Sequence, residues 1–323
     1  MEWTADVSSG DWIRDRLDPD GPAWGTTMHA VVPRGFAAYA RIFHPAARDR
    51  PVGEPWPERP YERHAREWDA FQERAPLIDT ELVTWAETAR AFDREMHALA
   101  QWHRLAIDSD QPEGEDGPRD AAGWRYSAPA VGTLDADVLA VVVRVALAHT
   151  TTPEDARAAV WVGFGGLVGG MGYGASRVLA TSEDPDGRHG AMLGHAARDA
   201  FNDVFRKPSW QPGALSDDIS RGPRLEFPQR SYVLFHTGLK ELADPGWAER
   251  VPWADDLGAA TQSPNLVWPV DRAWVMVTEV DFDSTVVAGS TELVRALCRD
   301  ARLEALPIDE GADLSWDGDG VNR

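Results

Sequence analysis

The stretch AVWVGFGGLVGGMGYGASRVLA, residues 159–180, decides between two fold classes. It reads as an apolar strand, then seven glycines within twelve residues, then a second apolar run. In doubly wound α/β folds a G-x-G-x-x-G turn between strand and helix holds a dinucleotide pyrophosphate. Here Gly163, Gly165 and Gly169 are spaced G-x-G-x-x-x-G, and Gly166, Gly170, Gly172 and Gly174 crowd the same segment. At about 1 kcal/mol per glycine relative to alanine, a helix does not start through that density. The strand follows a helical pattern in mid-chain, and no acidic ribose reader stands at a convincing spacing. A P-loop needs a lysine at its end, and the first lysine is Lys207. The stretch therefore reads as a strand that enters a flexible insertion, not as a phosphate cradle.

Outward from it, the pattern is irregular. On the N-terminal side, TTPED (151–155) reads as a Thr152 cap with Pro153 at the first helical position, feeding the strand. Thr133 caps a buried helix over 133–149, with Asp135 and Asp137 in its first turn. A longer helix is expected over 79–105, because Trp85, Phe92, Met96, Leu99 and His103 fall on one stripe at 100° per residue. Two short strands flank the PRG turn at 33–35, with Tyr39, Arg41 and Phe43 sharing one face. The Pro- and Arg-rich piece at 45–63 reads as a surface loop. After residue 229, RSYVLFHTG, NLVWP and DRAWVMVTEVDF read as strands. STELVRALCRD reads as a helix capped by Ser290, and DLSWDGDGVN as a strand and turn. Helices and strands alternate without a βαβ rhythm. The fold class is therefore α+β, a mainly antiparallel sheet packed with several helices. One domain is expected over 1–323, with a flexible acidic loop at about 108–120 and a mobile Gly/Pro-rich insertion at about 168–229.

Composition excludes several functions. The 323 residues are 43% hydrophobic and include 15 Trp, enough for a sizeable core. The net charge of −21 repels phosphates and anionic membranes, so neither nucleic acid nor membrane is expected as a partner. The single cysteine, Cys298, can make no intrachain disulfide and no cysteine zinc cluster. With no apolar leader in the first residues and no apolar run long enough to span a bilayer, a cytoplasmic location is expected.

Several stretches resemble a family of uncharacterised cytoplasmic proteins common in actinobacteria. They are VVPRGFAAYARIFHPA (31–46), TWAETARAFDREMHALAQWHRL (84–105), LAHTTTPEDARAAVWVGFGGL (147–167), RSYVLFHTGL (230–239) and SPNLVWPVDRAWVMVTEVDFDSTVVAGS (263–290). The likeness runs through most of the chain in order and fails between 168 and 229. It implies a shared fold and no activity.

Among chemical motifs, VDFDSTVV (280–287) fits the nucleophile strand of haloacid dehalogenase phosphatases. That chemistry also needs a downstream lysine and further acidic ligands, and no lysine follows Val287. Read as a strand instead, the segment puts Glu279, Asp281 and Asp283 on one face, where three like charges call for a cation or for Arg272. WDGDGVN (316–322) lacks the terminal glutamate of a calcium loop and reads as a turn. His97 and His103 sit six apart and cannot chelate together. His103 reads as a hydrogen-bonded core histidine.

Three functions follow as expectations. The first is an interaction protein, immunity-like, that meets a basic partner through its acidic surface. The second is a metal-dependent hydrolase built from His29, His44, Asp281 and Asp283. The third is a small-molecule binder with a pocket lined by Trp102, Trp161 and Trp274. The candidate binding residues are Trp102, His103, Trp161, Arg272, Trp274, Glu279, Asp281 and Asp283. No catalytic residue, resident metal or cofactor is assigned.

Overall fold

The computed structural model describes residues 1–18, 28–107, 117–172, 208–228, 230–254 and 261–322. They fall into two compact units, one of Met1–Trp161 with Pro223–Arg323, the other of Val162–Gly222.

The first unit is built on a nine-stranded sheet, all of whose pairings are antiparallel. Its path runs β1 (Glu2–Trp3), β10 (Arg230–Thr237), β6 (Ala156–Trp161), β11 (Leu266–Pro269), β12 (Val275–Val277), β13 (Ser284–Gly289), β2 (Ala38–Phe43) and β14 (Ala305–Ile308). Strand β9 (Leu225–Phe227) pairs with β10 off this path. Among the described residues eight short helices, α1 (Asp11–Arg14), α2 (Ala65–Arg74) and α7 (Leu239–Leu242) among them, accompany antiparallel sheets, and the chain is α+β.

The central strands are buried on both faces, so they read as continuous apolar runs instead of alternating ones. One face carries α5 (Ala136–Ala146) and α8 (Thr291–Arg299), which contact each other. Asp135 caps α5 by accepting from the N–H groups of Asp137 and Val138, so the cap lies two residues later than Thr133. Thr133 instead accepts from the N–H of Ser263. Ser290 caps α8 as expected, accepting from Leu293. On the other face an N-terminal layer of Trp12, Ile13, Leu17, Met28 and Val32 packs with Tyr39, Trp268, Val275 and Val286.

A satellite three-stranded sheet, β4 (Ile78–Val83), β3 (Ala46–Pro51) and β5 (Arg125–Ser127), overturns two expectations. The Pro- and Arg-rich piece contains β3, held by pairing on both sides and by the Arg125–Asp49 bidentate bridge. The long helix expected at 79–105 divides into β4, α3 (Trp85–Ala91) and the single turn α4 (Trp102–Leu105). Its start is set by a Thr84/Glu87 capping box, which is incompatible with helix before residue 84. It ends near Asp93, whose φ is +54°. Part of the helical stripe nonetheless marks the core: Trp85 packs edge to face on Trp102 in a second cluster with Phe43, Trp124 and Tyr126, and Phe92 and Met96 lie half-buried against it.

The expected Thr152–Pro153 helix is a turn, closed by the Asp155 N–H donating to the Thr152 carbonyl, and β6 starts directly after it. DLSWDGDGVN forms turns without a strand.

In the second unit, β7 (Gly170–Gly172) pairs with β8 (Ser209–Gln211), followed by α6 (Asp217–Arg221). A Cβ on Gly169 would lie 2.7 Å from the Trp210 ring and 2.8 Å from the Gln211 carbonyl oxygen, so the absent side chain lets this ribbon close. That is a packing role for part of the glycine-rich stretch. Most of the expected insertion, 173–207, and most of the expected loop, 108–116, lie outside the described residues, as does the helix expected near 195–205.

Candidate functional site

The hairpin between β12 and β13 carries the acidic motif. Residues 279–283 form a turn and not a strand, so the carboxylates are displayed by a loop instead of along one strand face. Gly132 fixes where that loop sits. Its N–H donates to the Phe282 carbonyl, its φ is +73°, and a Cβ there would fall 2.4 Å from the Val280 carbonyl oxygen. Gly132→Ala is expected to lower stability by about 2 kcal/mol, through left-handed backbone strain and the clash. Urea denaturation checks it.

A cavity of about 460 Å³ opens beside this hairpin. Its apolar wall includes Val31, Trp102, Val131, Phe282, Leu314 and Trp316, and its polar lining Arg41, Gln101, His103, Glu279, Asp281 and Asp283. The size falls in the range of small-molecule sites, and so does the mix of apolar wall and few polar groups.

The charges are arranged in two groups. Arg230 bridges Glu279 and Asp281: its Nη2 lies 2.9 Å from Glu279 Oε1 and 2.6 Å from Asp281 Oδ2, and its Nε donates to the same Glu279 oxygen at 3.0 Å. Burial raises the Glu279 carboxyl, with Arg230 pulling against that shift. Arg41 is buried on β2 and stands 3.5 Å from Asp283. It also donates to Ser284 Oγ and to the carbonyls of Ala98 and Ala100. Burial lowers Arg41 to about 10, with Asp283 offsetting part of the shift. Burial likewise raises the Asp283 carboxyl against the pull of Arg41. Three carboxylates thus face two guanidinium groups.

The far wall is aromatic. His103 stacks on Trp316 with ring centroids 3.5 Å apart and planes 6° from parallel. Burial, followed by Arg104, lowers the His103 pKa, so the ring is neutral at pH 7. Its Nε2 and the Nε2 of Gln101 have no hydrogen-bond partner among the described residues. Trp316 is 66% exposed, the one largely exposed tryptophan among the described residues. Its segment is held by Asp319, which accepts from His97 Nε2, from the Gln101 N–H, and from the N–H groups of Val321 and Asn322.

The structure therefore gathers Trp102, His103, Glu279, Asp281 and Asp283 of the expected site residues around one cavity. The other three lie elsewhere. Trp161 ends β6 and packs at the edge of the sheet core. Trp274 is fully buried, and a Cβ on Gly289 would come within 3.1 Å of its own Cβ. Arg272 has φ +57° and covers the Trp12 ring, so it is not the counter-ion of the carboxylates. That role belongs to Arg41 and Arg230. Arg41 left a trace in the sequence, as a charge on the strand face between Tyr39 and Phe43.

The histidine and carboxylate quartet does not form a metal site. His44 is buried, with Nδ1 donating to the Ala130 carbonyl and Nε2 accepting from Thr285 Oγ1. His29 Nδ1 donates to the Val32 carbonyl. Among the described residues no three histidine, cysteine or acidic side chains are grouped to hold a metal ion. His44 has a different consequence. Burial, and less strongly Arg41, lower its pKa to about 4. Unfolded chains take up that proton as pH falls below about 6.5, so the folded state loses stability between there and pH 4. Glu279 and Asp283, raised by burial, work in the opposite sense. His44→Gln is expected to flatten the fall in stability between pH 6.5 and 4, measured by urea midpoints across that range.

Comparison with family models, curated proteins and solved structures finds no match for this chain.

Proposed function

We propose that this chain is a small-molecule-binding protein whose site is the cavity beside the 279–283 hairpin. One observation carries the reading: an apolar, largely aromatic wall meets unpaired polar nitrogens and buried charges in a cavity of ligand size. An apolar ligand body would lie against Trp102, Phe282 and Trp316, and the polar groups would fix its orientation. The single cysteine agrees with a reducing, cytoplasmic setting.

A thermal-shift screen of metabolites with apolar bodies tests the proposal. A true ligand at a hundred times its Kd adds about 2.7 kcal/mol of stability. Trp316→Ala is expected to cost less than about 1 kcal/mol on its own, since the ring is mostly exposed, and to abolish most of the ligand's shift. A shift unchanged in Trp316→Ala would place binding outside the cavity.

A second reading, an interaction protein for a basic partner, has a separate observation in its favour. Strand β4 is an edge strand that exposes Leu82 beside Glu81 and Asp79, on a chain of net charge −21. Affinity capture from the native host with wild type and Leu82→Arg as baits tests it. A basic protein held by wild type and lost with the variant supports it, and no retained protein counts against it.

A further inference from the structure

The charges and the unpaired amide narrow the ligand class, given the small-molecule reading above on which this step rests. We infer that the cavity takes an organic monocation: an aromatic amine that carries a hydrogen-bond acceptor next to its ammonium group.

Charge balance comes first. Glu279, Asp281 and Asp283 line the cavity, and Arg41 and Arg230 are the guanidinium groups paired to them. Among the described residues, three carboxylates at the cavity meet two guanidinium groups, one fewer than a full balance needs. His103 supplies no charge at neutral pH, because burial lowers its pKa. A bound cation restores balance and an anion worsens it. At a distance, the −21 charge of the chain draws cations toward the site and repels anions.

The walls point the same way. The rings of Trp102, Trp316 and Phe282 line the cavity, and aromatic faces favour a nearby ammonium and stack on a flat ring. Trp316 already stacks face to face on His103, and both rings line the cavity.

The third observation is independent of the acidic residues. Gln101 lines the cavity and is 6% exposed, and its Nε2 has no partner among the described residues. A buried amide N–H2 without an acceptor is a destabilising loss that a ligand oxygen can make good. A ligand oxygen beside the ammonium would satisfy it. An alkyl amine without such an oxygen would leave it unpaired.

The test is calorimetric titration of four probes on one ring system. L-Tryptophanamide supplies the cation and the acceptor, tryptamine the cation alone, N-acetyl-L-tryptophanamide a neutral body, and indole-3-propionate an anion. L-Tryptophanamide is expected to bind about tenfold tighter than the neutral probe, a 1.4 kcal/mol difference, with tryptamine between them and indole-3-propionate weakest. Asp281→Asn is the charge variant of choice, because its side chain is 39% exposed and Glu279 still pairs with Arg230 without it. It should reduce the preference for L-tryptophanamide over the neutral probe to about threefold or less. Gln101→Leu should remove the advantage of L-tryptophanamide over tryptamine while keeping the cation preference. Neutral or anionic probes binding as tightly as the cations would overturn the inference and leave the small-molecule reading standing. So would the absence of binding by all four probes in a protein whose cavity binds other fragments.

Discussion

Arg41→Met is expected to lower the unfolding free energy by about 3–5 kcal/mol, the range for breaking a buried ion pair from one side. The side chain is 1% exposed and does four things at once. It neutralises Asp283, bonds Ser284, and satisfies the carbonyls of Ala98 and Ala100. Methionine fills the space and meets none of these. Asp283 then keeps a half-buried charge without its counter-ion, and two carbonyls lose their donor. Arg41→Met with Asp283→Asn should recover part of the loss, since the unpaired charge is then gone. The carbonyl cost remains. Guanidinium chloride denaturation of the two single variants and the double variant measures the coupling. Additive losses would mean that the 3.5 Å approach contributes no pairing energy.

Asp319→Ala is the second large effect, expected at about 2–4 kcal/mol from several charge-assisted hydrogen bonds. Asp319 accepts from His97 Nε2 at 2.8 Å, from the N–H groups of Gln101, Val321 and Asn322, and from Asn322 Nδ2. Burial alone would raise its carboxyl, but the donors of Asn322, His97 and Val321 outweigh it and hold the group far below the usual range. Its contribution is fully present above the unfolded value, near pH 4, and is lost as pH falls further. Asp319→Ala should therefore lose stability at pH 7, and its deficit against wild type should narrow as pH falls below 4. The same change frees the segment that carries Leu314 and Trp316 to the cavity, so ligand affinity should fall with it.

The sheet was legible where strands are long and apolar. RSYVLFHTG is β10, and NLVWP contains β11. Both are central strands whose apolar runs have no alternative use. The helix expected over 133–149 exists as Ala136–Ala146 with its cap two residues late, at Asp135, and the Ser290 cap stands where it was expected, because caps and first-turn acids are local signals. What failed was non-local. Nothing in ARDRP announces a strand; β3 exists because β4 and β5 pair with it. The stripe from Trp85 to His103 marked one buried residue, Trp85, and four half-buried ones, and its 100° period survives in a chain that bends at Asp93 and resumes as one turn at Trp102.

The site was half legible for the same reason. Glu279, Asp281 and Asp283 draw attention as a charge repeat, His103 as the end of an apolar stripe, and Trp102 as one of the tryptophans expected to line a pocket. Their convergence is a tertiary fact. It depends on the hairpin turn, on Gly132 beneath Val280, and on a C-terminal segment that brings Trp316 over His103. Arg272 was the nearest arginine in sequence to the carboxylates. Arg41 and Arg230 reach them in space, one from the strand next to β13 and the other from β10.

The most direct test of the account is a ligand-observed NMR screen of aromatic fragments on wild type and on Ala128→Trp. Ala128 is exposed and lines the cavity, so the added indole fills the cavity without crowding the core. The account predicts fragments that bind wild type, compete with one another, and are lost in Ala128→Trp while the variant keeps wild-type stability. Fragments that bind both proteins equally, or a screen with no binder to wild type, would contradict it.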